Sequence, residues 1–389
     1  MKADVAIIGA GPAGLLLGHL LRAEGLIVKI VERASADHVV GRIRAGVLEH
    51  TTTDLLARLG LDGRLKTEGL LHSGFVLADG EQIVRIDLAD LTGHHVTVYG
   101  QTEMTCDLME AAPARGLEIF YEAENVVLAD IESETPCVRF TKDGRDHYLE
   151  ARFIVGCDGF HGPSRQAIPA NQGGIYEKVY PFGWLGILAD VPPCHDELIY
   201  ASHERGFALA SMRSATRSRY YIQVASDETL DDWSDGRLWD ELAVRLGPEV
   251  GGRITRGVAL EKSIAPLRSF VFEPMRHGSL FLAGDSAHIV PPTGAKGLNL
   301  AASDVAYLSE ALSLFFKRGD QEGIIAYSGR ALARVWKAER FSWQLTHLLH
   351  RFPGQTGFDR KMQVAELRYI AGSRNAQASI AENYVGLLL

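Results

Sequence analysis

Residues 4–14, DVAIIGAGPAG, constrain this chain more than any other stretch. A short apolar run ends at Gly9, and Gly9-Ala10-Gly11-Pro12-Ala13-Gly14 has the spacing G-x-G-x-x-G. Apolar residues then recur at helical spacing through 14–24, with Gly25 placed to cap the helix. Residues 26–32, LIVKIVE, read as a second buried strand. A strand, a glycine turn, a helix and a strand in that order form a dinucleotide-binding unit. The first glycine permits the tight turn, the second lets backbone approach a pyrophosphate, and the third packs helix on strand. The helix start adds unpaired N–H groups and the positive end of its dipole. Glu32, ending the second strand, is placed to accept from an adenosine ribose and would repel a 2′-phosphate. The site therefore suits FAD or NAD.

Two later motifs separate these cofactors. Cys157-Asp158-Gly159 is followed by Gly162 and Arg165, and Gly284-Asp285 precedes a glycine-rich turn and a helix. Singly, each Asp reads as an N-cap or turn residue. In this order they favour FAD, whose ribityl hydroxyls need an acceptor beyond the pyrophosphate; Asp285 is the candidate. The helix beginning near 294–299 would aim its N-terminus at the flavin pyrimidine, where negative charge collects on reduction.

The middle of the chain changes character. Short segments such as FALASM and YIQV, punctuated by turn residues, predict an antiparallel sheet over about 180–270. Residues 206–213 and 217–225 form a hairpin about 214–216. With a three-residue loop, odd positions of both strands share a face, bringing Ser211, Arg213, Arg219 and Tyr221 together. That set could clamp a carboxylate, although the same pattern also describes a solvated strand edge. From about 298 the chain reads as helical. The fold class is α/β, α+β overall: a Rossmann-like FAD-binding domain at 1–179 completed by about 267–300, a substrate-binding antiparallel sheet at 180–266, and a C-terminal helical region at 301–389.

Composition excludes several alternatives. The net charge of −9 weighs against a nucleic-acid backbone binder. Cys106, Cys137, Cys157 and Cys194 form no CxxC pair, so neither a metal ribbon nor a redox dithiol is expected, and their sparse use suits a reducing cytoplasm. No apolar stretch reaches the ~18 residues of a membrane span, and the N-terminus does not read as a signal peptide.

Taken together, these motifs resemble the class A flavoprotein aromatic hydroxylases. GRIRAGVLE (41–49), VYGQTE (98–103), YPFGWLG (180–186), SATRSRYY (214–221), EKSIAPLRSF (261–270), HIVPPTGAKGLNLAASD (288–304), KAERFSW (337–343) and IAENYVG (380–386) are similar to members that hydroxylate 4-hydroxybenzoate. The resemblance implies that NAD(P)H reduces bound FAD and that O₂ then forms a flavin C4a-hydroperoxide. Oxygen transfer beside the phenol gives 3,4-dihydroxybenzoate, a step of aromatic catabolism. A hydroxylase of another aromatic acid, or a non-catalytic FAD-binding redox sensor, are the alternatives.

The resemblance also assigns roles. Ser211, Met212, Arg213 and Tyr221 would hold the substrate, with Ser211, Arg213 and Tyr221 on its carboxylate, and the Pro292 carbonyl would accept from its hydroxyl. Tyr200 would touch the substrate phenol, Tyr384 would relay to Tyr200, and His72 would exchange the proton with solvent, a task its near-neutral titration suits. Around FAD it places Arg42, Ile43, Arg44, Ala45, Gly46, Val47, Gln101, Arg219, Lys296, Leu298 and Asn299, besides Gly9, Gly11, Gly14, Glu32 and Asp285. Arg42 and Arg44 suit pyrophosphate contact. Arg33, Ala34 and His38 would select the nicotinamide cofactor; Ala34 and His38 depart from the Gln and Tyr of NADPH-specific members, so NADPH use with some NADH tolerance is expected. The family also implies a homodimer.

Overall fold

The computed structural model describes residues 1–41, 46–79 and 82–386. Strand Lys2–Ile8 lies between Val28–Val31 and Arg145–Gly156, parallel to both. Glu118–Phe120 and Leu280–Leu282 extend this parallel core on either side. Val5, Ile7, Ile30 and Val155 have no measurable exposure, as a sheet covered on both faces requires. Helix Pro12–Ala23 follows the first strand and stops where expected: Gly25 takes a positive φ of 88° and donates to the Arg22 carbonyl. Glycine reaches that left-handed conformation without strain.

The second sheet has eight strands, in the order His288–Ile289, Ala259–Glu273, Gly174–Ala189, Arg217–Ala225, Gly206–Ser214, Ile199–His203, Gly74–Ala78 and Ile83–Asp87. All neighbours are antiparallel except Ile199–His203 with Gly74–Ala78. Its last two strands come from within 1–179. Conversely, helix Asp235–Arg245 interrupts the stretch read as continuous sheet. Ser234 caps it by accepting from the Arg237 N–H, and Leu238 and Leu242, one turn apart, bury themselves on the sheet beside Ile222. Period-two segments were legible there, but the helical repeat between them is short.

The opposite face of this sheet carries Tyr200, Phe207, Leu209 and Trp184, and is covered by the C-terminal helices through Leu345, Leu349 and Tyr384. Helices Gly297–Arg318, Glu322–Leu349, Gly357–Gly372 and Arg374–Val385 make up the helical region. The first of them packs against helix Pro12–Ala23 and so joins the glycine turn to the second sheet. No helix among the described residues is long and apolar enough to cross a membrane.

Candidate active site

The glycine turn has the geometry its spacing implies. Gly9 sits at φ 101°, and a Cβ there would strike the Cys157 carbonyl. A Cβ on Gly14 would run into the Gly9 carbonyl oxygen. Around Gly11, by contrast, nothing among the described residues lies within 4 Å of where a Cβ would stand. The outer two glycines are thus demanded by the protein's own packing, whereas Gly11 faces open space at the N-cap of a twelve-residue helix with no acid in its first turn. That cradle fits a pyrophosphate. Glu32 is held by the N–H groups of Ala10 and Ala34, each at 2.7 Å, which orients its carboxylate beside the turn.

The two distant aspartate motifs meet this turn because their strands are its neighbours. Cys157 N–H donates to the Ile8 carbonyl, and Ala283 N–H donates to Gly156. Arg165 ties the motifs together, donating to Ser286 O at 2.9 Å and Phe160 O at 2.6 Å. Asp158 accepts from Ser164 N–H at 2.8 Å, and burial pushes its carboxyl above the ordinary range. Asp285 lies in the turn Gly284–Ser286. Asp304 was not foreseen: it accepts from Gly284 N–H at 2.9 Å and from His288 Nε2 at 2.6 Å, fixing that turn.

Asn299 and Lys296, expected near the flavin, are both buried at the start of helix Gly297–Arg318. Asn299 accepts from Glu49 N–H and Thr52 Oγ1 and donates to the Val47 and Ala295 carbonyls. Lys296 pairs with Glu49 at 2.7 Å and donates to the Tyr384 carbonyl at 2.8 Å. Burial pulls its ammonium below the ordinary lysine range, opposed by Glu49. Glu49 also pairs with Arg334 at 3.2 Å. Sequence reading assigned Glu49 no role; its partners lie 247 and 285 residues away. Leu298 and Val47 are buried beside this network, and Gln101 opens helix Gln101–Ala111 after Gly100. Arg42, Ile43, Arg44 and Ala45 lie outside the described residues. Gly46 is described, and a Cβ there would sit 3.2 Å from the Arg213 guanidinium.

The hairpin has the expected odd-on-odd register: Ser211 pairs with Arg219, and Leu209 with Tyr221. Its turn differs. Ser214 pairs with Arg217, leaving a two-residue loop, and a bulge at Arg213 absorbs the extra residue. Ser211 Oγ donates to the Arg219 carbonyl at 2.8 Å. Arg213 donates one N–H to Met212 O at 3.0 Å, while its Nε is buried without a partner among the described residues. Burial pulls its guanidinium below its usual value. Met212 supplies that carbonyl, and its side chain lies on the other face by strand alternation. Arg219 faces the Glu261 carboxylate through two contacts of 3.2 Å and stacks over Tyr221 at 5.2 Å. Its Nε is also without a partner. Pro292 is exposed, and its carbonyl accepts from Ala295 N–H at 3.0 Å.

Tyr200 and Tyr384, 184 positions apart, meet hydroxyl to hydroxyl at 2.9 Å. Both are 2% exposed and pack on Phe75, edge-on for Tyr200 and stacked for Tyr384. Burial pushes Tyr200 up to about 12 and Tyr384 well above its ordinary value, so both are neutral phenols near pH 7. His72 ends strand Leu70–His72, buried, with Nδ1 unpartnered. Burial lowers it from the near-neutral range expected for it, and the charged groups facing it are Glu197, His195 and Asp196. No hydrogen bond joins His72 to Tyr384 among the described residues. Arg33 and His38 are exposed just beyond Glu32, and Ala34 is half-buried.

A family model described as "FAD binding domain" matches residues 2–342. The p-hydroxybenzoate hydroxylase of Acinetobacter baylyi is 58% identical over 388 residues, covering 100% of this chain and 96% of that one. A 3-(3-hydroxy-phenyl)propionate/3-hydroxycinnamic acid hydroxylase of Mycobacterium sp. is 24% identical over 80% of this chain, which spans only 54% of that longer relative. Among solved structures, the p-nitrophenol 4-monooxygenase of Pseudomonas putida superposes with a TM-score of 0.83 at 18% identity, each chain covered completely.

Proposed function

This chain belongs to the FAD-binding-domain family of flavin-dependent aromatic hydroxylases, and from that premise we propose that it hydroxylates 4-hydroxybenzoate at the carbon beside the phenol, giving 3,4-dihydroxybenzoate. The observation that carries the substrate choice is the placement of Arg213 on the hairpin, with Tyr200 on the strand beside it and Tyr384 reaching Tyr200 from the last helix. Bound FAD supplies reduction by NAD(P)H and activation of O₂.

The chain's own residues supply the rest. Arg213, held by the Met212 carbonyl and with a free Nε, pairs with the substrate carboxylate. Tyr221 lies on the same face and orients the anion, and Ser211 joins it by turning its hydroxyl from the Arg219 carbonyl to the carboxylate. The Tyr200 hydroxyl takes a hydrogen bond from the substrate phenol or donates one to its phenolate, and passes the proton to Tyr384. Phenolate is the more electron-rich ring and reacts faster with an electrophilic oxygen, so this relay raises the reactive fraction. Since burial keeps both tyrosines neutral, they carry the proton by exchanging hydrogen bonds rather than by ionising. Gly9, Gly11, Gly14 and Glu32 would hold the adenosine diphosphate half of FAD; Arg42 and Arg44, which lie outside the described residues, are proposed for its pyrophosphate and Asp285 for its ribityl chain. The helix start at Lys296–Asn299 would set the charge near the flavin pyrimidine, with Glu49 offsetting Lys296. Arg219 would contact the isoalloxazine. His72 returns the relayed proton to solvent. NADPH is the preferred reductant, NADH a poorer one, and the enzyme acts as a cytoplasmic homodimer.

The test is product identification by mass spectrometry from the FAD-loaded protein, with 4-hydroxybenzoate and each nicotinamide cofactor in turn. The expected result is 3,4-dihydroxybenzoate with 4-hydroxybenzoate-stimulated NADPH oxidation. Stimulation by other aromatic acids but not by this one would overturn the assignment.

A further inference from the structure

A cleft of about 250 Å³ opens toward the N-terminal end of the parallel sheet, away from the glycine turn. Its walls come from four parts of the chain: the loop Glu132–Glu134, strand Arg145–Gly156 at Arg152 and Phe153, the turn at Arg276–Ser279, and the two helices and their connection at Phe315, Gln321 and Ile324–Ile325. The two cations are poorly neutralised. Arg276 donates to the Gly278 and Ile324 carbonyls, both at 3.1 Å, and these carry no net charge. Burial lowers its guanidinium, and the nearby Arg152 charge adds to that. Arg152 donates to Ser279 Oγ at 3.3 Å and approaches Glu134 only at 3.7 Å, a carboxylate that is 90% exposed. Such an exposed pair contributes little. The remaining carboxylate, Glu132, is engaged by His277 at 2.8 Å. Beside the cations one wall is apolar, the rest carrying Ser133, Ser279 and Gln321: Arg152 stacks over Phe153 and Phe315 at 4.7 and 5.3 Å, and Ile325 stands 67% exposed at the rim.

We propose that this cleft is a second anion site, taking a small carboxylate with a flat apolar body between Arg152 and Arg276 and the Phe153–Phe315–Ile325 wall. Paired guanidiniums recognise a carboxylate through parallel N–H donors, and the aromatic wall adds apolar burial that a bare inorganic anion does not gain. The site shares no residue with the Arg213 hairpin, so it stands whether or not the substrate assignment does. Aromatic acids of the kind handled there are one source of such a ligand, aliphatic acids another.

The test uses FAD-loaded protein and benzoate as probe, followed by calorimetry in the Arg213→Ala background, which silences the hairpin clamp. The expected result is one remaining benzoate site per chain, weakened on the order of tenfold by Arg276→Gln. Because Arg276 also anchors two carbonyls, the rim residue gives an independent reading. In that background Ile325→Lys should tighten and Ile325→Glu weaken this second site several-fold, and in the chain with Arg213 intact both should leave 4-hydroxybenzoate turnover unchanged. Cyclohexanecarboxylate binding as well as benzoate assigns the wall to general apolar contact, and weaker binding assigns it to ring stacking; both support the site. Absence of benzoate binding in the Arg213→Ala protein, indifference to charge at 325, or equal binding of acetate and inorganic phosphate would overturn it.

Discussion

Replacing Tyr200 by Phe removes one oxygen from the buried tyrosine pair and leaves the ring packing on Phe75 in place. In the proposed mechanism that hydroxyl donates to the substrate phenolate. A hydrogen bond to a charged group is worth ~1.5–3 kcal/mol, and one pKa unit corresponds to about 1.4 kcal/mol. The bound phenol of the variant should therefore titrate about one to two units higher, because the ionised form has lost its donor. Tyr384 retains its hydroxyl but not its partner at 2.9 Å, and an unpaired buried hydroxyl costs ~1–3 kcal/mol of stability. The assay is an ultraviolet difference titration of 4-hydroxybenzoate bound to oxidised enzyme, read at the phenolate band. Product formed per NADPH consumed should fall in parallel near neutral pH and recover as pH rises, while flavin reduction stays intact. Tyr384→Phe should show the smaller shift, since it acts through Tyr200. An unchanged titration of bound phenol in Tyr200→Phe would refute the relay.

Three further outcomes follow from the same structure. Arg213→Ala should weaken 4-hydroxybenzoate binding by ~3–5 kcal/mol, a hundredfold or more, because it leaves the substrate carboxylate buried without its cation; a flavin spectral titration measures this. Gly14→Ala should abolish FAD retention and lower Tm, since its Cβ meets the Gly9 carbonyl, whereas Gly11→Ala should fold normally and lose FAD affinity alone; apoprotein melting and flavin fluorescence distinguish the two. Glu339 is buried, with one oxygen unpartnered, and burial raises it from 4.5 to about 7. Between those values the native state holds a proton that the unfolded chain has released, so stability falls as pH rises through this window and levels off above it. Glu339→Gln should remove that slope, worth on the order of 3 kcal/mol across the window, as measured by urea unfolding at several pH values.

The opening unit was readable because every requirement in it is local. Turn geometry, helix start, Gly25 and the apolar strands depend on residues within about thirty positions of one another. The facing of Ser211, Arg213, Arg219 and Tyr221 followed from strand alternation across a short hairpin, and survived an error in loop length because the bulge at Arg213 restored the register. Strand membership was less legible: nothing near Gly74–Ala78 announces pairing with Ile199–His203, a contact made only when the chain returns.

Sequence by itself determined the nucleotide cradle and the apolar strand pattern, because steric rules act between near neighbours. The tertiary structure alone decided the electrostatics. Lys296 is an ordinary helix-start lysine by sequence, yet folding buries it against Glu49 and the Tyr384 carbonyl. Asp304 is one more polar residue in a helix until packing brings Gly284 and His288 to its carboxylate. Tyr200 and Tyr384 become a pair only when the last helix closes over the second sheet. Charge and hydrogen-bond energies depend on burial and on separations of a few ångströms, and both are properties of the folded chain.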